Sequence, residues 1–165
     1  MRRNKTNSYM KNVFTDNMKD LSMLMDKLQE LKERCILDES QQNLAVILEC
    51  GKNWRLIERI LEYATDIQNP ENQFIEAICS VIVDDKAYIN SRILAAEALR
   101  VLGPRNIEQS LEYPVFKGTS IQQTLKEILE CPQVPLFHSV VARALEAINQ
   151  FEYQSVDKYC QITTD

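Results

Sequence analysis

The sequence predicts an all-α fold: a short right-handed α-solenoid of antiparallel helix pairs, preceded by an N-terminal amphipathic helix. Three observations predict it. Of 165 residues, 45% are apolar but only 3 are Gly and 5 are Pro, too few turn formers for a hairpin-dense β fold. Apolar residues recur at steps of three and four along nearly the whole chain, with no sustained period of two. The chain also repeats itself at a distance of 46 residues, the period of stacked helix–turn–helix units. A single domain of this size can bury a real core, since about 150 residues hide roughly two-thirds of their surface on folding. The expected organisation is a flexible basic tail over 1–13, one all-helical domain over 14–151 and a polar C-terminal tail over 152–165.

The first helix is expected over 14–36. Thr15 or Asp16 can cap it, and Met18, Leu21, Met25, Leu28 and Cys35 form a stripe that Leu24 and Leu31 widen. Residues 38–42 are polar, and 44–50 form an apolar helix that Gly51 would close in the left-handed conformation. Asn53 can cap a helix carrying Trp54, Ile57, Ile60, Leu61 and Ala64, after which TDIQNPEN (65–72) reads as a loop. Two further pairs follow. Helices over 73–83 and 89–102 flank DDKAY and stop at Gly103-Pro104; Asp84-Asp85 are expected to cap the second. Residues 104–119 are irregular, with room for a short helix over 107–113. Ser120 is expected to cap 121–130, the pair Pro132 and Pro135 forces a turn, and 137–151 is the last helix before a polar, frayed end.

Sliding the chain by 46 residues sets Ile75 on Ile121, Ile82 on Ile128, Val83 on Leu129 and Ala96 on Ala142. Ala98 then meets Ala144, Leu99 meets Leu145 and Leu102 meets Ile148. Small residues at paired positions permit close helix approach, and Leu or Ile fill the seam. The run from Arg92 through Ala95-Ala96-Glu97-Ala98-Leu99-Arg100 to Leu102-Gly103 resembles the second helix of HEAT-like repeats of the PBS-lyase type. Pro135-Leu136-Phe137, followed by Ala142-Arg143-Ala144-Leu145, repeats the pattern with the family's Pro-x-apolar lead-in. The copies depart from it where Ile89 and Ser91 replace Pro and Val, and where His138 and Asn149 replace Arg and Gly. The resemblance covers about 73–151 and implies a fold and a way of binding rather than a reaction; residues 42–64 resemble a degenerate, capping pair.

The formal net charge of −5 divides unevenly. Residues 1–12 carry Arg2, Arg3, Lys5 and Lys11 without an acid, which leaves −9 on the remainder. An acidic body repels phosphate backbones, so the charge argues against nucleic acid as a partner and for a basic or neutral protein surface. No run has the length or apolarity of a signal peptide or membrane span. The cysteines, 35, 50, 79, 131 and 160, are odd in number, widely spaced and never in CxxC. They read as reduced apolar fillers in a cytoplasmic protein rather than a disulfide or zinc framework.

No catalytic, metal or cofactor set emerges. His138 is the single histidine, with no partner at ligand or dyad spacing, and reads as a hydrogen bonder at a helix start. Arg92 in the same repeat position would bridge to a neighbouring turn, with Asp84 or Asp85 as acceptor. Trp54 reads as a core or cap residue. Met18, Met23 and Met25 read as core or capping surface, though their spacing leaves open a homodimer through the N-terminal helix, interrupted by Lys32. The expected function is therefore non-enzymatic binding of another protein along the second-helix face, through Arg92, Glu97, Arg100, Arg143 and Glu146, which fall between apolar positions. Two alternatives are a small acidic inhibitor or immunity-type protein that masks a basic enzyme, and a HEAT-like lyase or DNA glycosylase-like enzyme.

Overall fold

The computed structural model describes residues 21–51, 53–111 and 119–162. They contain seven α-helices: α1 (Leu21–Glu33), α2 (Gln41–Cys50), α3 (Trp54–Ala64), α4 (Asn72–Val83), α5 (Ile89–Leu111), α6 (Thr119–Glu130) and α7 (Pro135–Ile162). A 3₁₀ turn, Asp38–Ser40, leads into α2. No strand occurs among the described residues.

Helix α1 shows the expected stripe, with Leu24, Leu28 and Leu31 buried; residues 14–20 and the caps Thr15 and Asp16 lie outside the described residues. It stops short of residue 36 because Cys35 turns left-handed, at φ 54°. Cys35 N–H then donates to the Lys32 carbonyl at 3.0 Å and Ile36 N–H to the Leu31 carbonyl at 3.1 Å, the pair of reversed bonds that satisfies the end of a helix. Gly51 differs from expectation in the opposite sense. Its backbone is extended, φ −69° and ψ 126°, and glycine is required by close approach: a Cβ there would stand 2.2 Å from the Ile47 carbonyl oxygen. Asn53 caps α3 as predicted, its Oδ1 accepting from Arg55 N–H at 3.1 Å and Leu56 N–H at 3.4 Å.

The loop over 65–71 is pinned rather than loose. Asp38 accepts from Asn69 N–H at 2.7 Å, and Gln41, only 1% exposed, both donates to the Asn69 carbonyl at 2.8 Å and accepts from Glu71 N–H at 2.8 Å. From α5, Arg105 donates to the carbonyls of Thr65 and Ile67 at 3.0 and 2.6 Å, and Asn106 to that of Pro70 at 2.9 Å. Ile67 brings the loop backbone against the core, where its polar groups must find partners.

Those same anchors account for a second departure. Gly103-Pro104 does not end a helix; α5 runs through Pro104 to Leu111 as one element. Pro104 lacks the N–H that would bond the Arg100 carbonyl. The turn beyond it is nonetheless held, by Arg105 and Asn106 on the loop and by buried Ile107. Helix α6 begins at Thr119, which places Ser120 inside the helix instead of at its cap. Helix α7 uses Pro135 as its first residue, where the missing N–H costs nothing, and continues past Phe151 to Ile162, so the expected polar tail begins as helix.

Helices α2, α4 and α6 contact one another in sequence, as do α3, α5 and α7, and each of α2/α3, α4/α5 and α6/α7 is in contact within itself; α1 lies against α3. The repeat positions supply the core. Ile75 and Ile121, Ile82 and Ile128, Ala98 and Ala144, and Leu102 and Ile148 are all buried, whereas Val83 is 50% exposed opposite the half-buried Leu129. Each fully buried Ile, Leu or Phe contributes about 1.5–3 kcal/mol. The small residues set the spacing: a Cβ on Gly103 would fall 2.8 Å from Ile148 Cδ1.

Candidate functional site

The five residues expected on the second-helix face separate into three environments. Arg92 is a correction, because it is buried at 8% exposure rather than outward. Its Nε donates to the Ile82 carbonyl at 2.8 Å, its guanidinium lies 4.5 Å over the Phe137 ring, and Nη1 is 3.5 Å from Asp85. A guanidinium can be buried when its donors and its flat face are both occupied, and here it ties the end of α4 to the starts of α5 and α7. Asp85 thus serves Arg92, while Asp84 accepts from Lys86 N–H at 2.9 Å; no cap on α5 by either is found among the described contacts.

Glu97, Arg100 and Arg143 are brought together. Glu97 Oε2 accepts from Arg100 Nε at 2.8 Å and Oε1 from Arg143 Nη2 at 2.7 Å. The side chains are 30%, 45% and 57% exposed, so each pair contributes only about 0.2–1 kcal/mol in solvent. The network's value is positional: it fixes two guanidinium groups across the α5–α7 seam. Glu146 stands apart, exposed, accepting from Gln150 at 3.1 Å. His138 is exposed, and its backbone N–H donates to the Val134 carbonyl.

A second surface was not foreseen. An open cleft of about 320 Å³ lies where the turn between α2 and α3 meets the turn between α4 and α5. Trp54, expected in the core or at a cap, stands at the capped start of α3 and not in the core: it is 38% exposed on the cleft wall, with its ring centroid 5.3 Å from that of Tyr88 and the planes tilted by 48°. Glu49, Asp84, Lys86 and the edge of Gly51 complete the rim. Tyr88 is 61% exposed, and Val83 and Ile89 beside it are exposed as well. Further along, Val134 and Leu136, in and just after the turn between α6 and α7, are also open to solvent. The signal available in sequence was a Trp at one helix start and a Tyr just before another, 34 residues on. Only the α3–α5 contact makes them neighbours.

Of the cysteines, Cys35, Cys50 and Cys131 are free and exposed, contrary to a role as core fillers; Cys79 packs against the core. Burial pushes the Cys79 thiol up to about 12, with the Glu76 carboxylate adding to the effect. Among the described residues no cluster of three or more His, Cys, Asp or Glu could hold a metal ion, and no helix is long and apolar enough to cross a membrane. Comparisons of the chain with protein-family models, curated proteins and solved structures give no match.

Proposed function

We infer that the protein is a non-enzymatic protein-binding module, a short HEAT-like α-solenoid that engages its partner along the outer faces of α5 and α7. The observation that carries this reading is the contact between Glu97 and Arg143, residues separated by the 46-residue repeat. Equivalent positions on successive second helices touch, as expected for units stacked in register, each covering the apolar face of the next. First helices meeting first helices, and second meeting second, support the same arrangement with antiparallel helices in each pair. A surface so built is pre-organised, and little ordering cost attends binding. Arg100, Arg143 and Glu146 supply mixed charge on that face, suited to a partner of complementary pattern.

The test is charge reversal. Partners recovered with the native chain are titrated against wild type and against the pair Arg100→Glu and Glu146→Lys, neither of which touches the core. Weakening by about tenfold or more is expected, the scale of one or two rim charges turned repulsive. Unchanged affinity for every recovered partner contradicts the reading.

A further inference from the structure

The cleft beside Trp54 and Tyr88 presents acceptors and π faces to whatever enters it. Its walls are four helix ends, the last turns of α2 and α4 and the first turns of α3 and α5. Two negative and two positive macrodipole ends therefore oppose one another, and the side chains decide the field. Among the described lining residues, the carboxylates of Glu49 and Asp84 outnumber the single cation, Lys86. Neither carboxylate has an ion-pair partner among the described residues. Both lining serines have spent their protons inward: Ser80 Oγ donates to the Ala77 carbonyl at 2.7 Å and Ser91 Oγ to Glu58 at 3.3 Å. What each hydroxyl has left to offer is lone pairs. Trp54 already accepts a cation on one face, from Arg55 at 5.2 Å, and Arg55 itself does not line the cleft.

We propose that this cleft binds the guanidinium group of an arginine, flanked by apolar residues, on an exposed segment of a partner protein. Guanidinium is rich in donors, has no acceptor, stacks on aromatic rings and is weakly hydrated, which matches an acceptor-rich aromatic cleft better than ammonium does. Val83 and Ile89, exposed immediately beside Asp84 and Tyr88 in the chain, supply apolar contact for the residues on either side. The site lies about 18 Å along α5 from Arg100 and is independent of the binding face described above.

Trp54 is the only tryptophan, so its fluorescence reports on the cleft alone. The full chain is titrated with acetyl-Leu-Arg-Leu-amide and with peptides carrying Lys, Gln or Glu at the centre. The arginine peptide is expected to change Trp54 emission saturably and to bind about fivefold tighter than the glutamine peptide, with the glutamate peptide weakest. The isosteric pair Glu49→Gln and Asp84→Asn, in which Asn keeps the oxygen that accepts from Lys86 N–H, should abolish the difference between the arginine and glutamine peptides. Arg100→Glu should leave the titration unchanged, which separates failure of this site from failure of the second-helix face. Equal binding of the arginine and glutamine peptides to wild type, preference for glutamate, or no response from any peptide overturns the proposal.

Discussion

Cys35 occupies a conformation that glycine was absent to fill. A non-glycine residue in the left-handed region carries about 1–2 kcal/mol of strain, and glycine in its place would return about 0.4–1 kcal/mol of unfolded-state entropy. Cys35→Gly should therefore stabilise the protein by roughly 0.5–1 kcal/mol in denaturant unfolding. Arg92 makes the opposite case. Truncation to Ala removes a charge-assisted bond to the Ile82 carbonyl and the stack on Phe137, and should cost about 2–4 kcal/mol; Lys, lacking the planar fork, should not rescue it. In sequence its place at a helix start and an acidic acceptor at Asp84 or Asp85 were legible, and the structure selects Asp85. The burial of Arg92 was not legible, because a charge between apolar positions reads as outward until the start of α7 is packed over it. Cys79 gives a pH signature. Its thiol ionises near 9 when unfolded and near 12 when folded, so the native state holds the proton longer. Stability should be unaffected below pH 9 and fall as pH rises from about 9 toward 12, and Cys79→Ala should flatten that slope. Thiol alkylation of the native protein at pH 8 should modify Cys35, Cys50 and Cys131 well before Cys79.

At the scale of elements, the helical stripes and the Asn53 cap followed from local pattern, since periodicity and capping are properties of a few neighbouring residues. The misreadings have different causes: Gly51 is crowded locally by the Ile47 carbonyl four residues before it, whereas α5 runs on past Pro104 because Arg105 and Asn106 anchor its next turn to the distant loop over 65–71. Local turn chemistry said stop where tertiary contacts said continue. The Gly103 position shows how close α5 and α7 come. Gly103→Ala should push its methyl into Ile148 and cost about 1–3 kcal/mol. Shortening Ile148 to Val in the same chain should recover part of that loss, because the two sites share one contact.

For the whole molecule, the repeat of 46 residues was the most informative feature of the sequence, since equivalent apolar positions could be matched before any contact was known. The aromatic cleft stayed hidden because Trp54 and Tyr88 lie 34 residues apart and meet only when α3 lies beside α5. Both proposed binding surfaces thus belong to contacts between helices rather than to any single helix. Hydrogen exchange of the chain alone and in complex with its co-purified partner locates the bound surface most directly. Slowed exchange over α5 and α7 around Arg100, Arg143 and Glu146 is expected, against unchanged rates in α1. Protection confined to α1, or none anywhere in α5 and α7 at saturating partner, contradicts a protein-binding face built from the second helices.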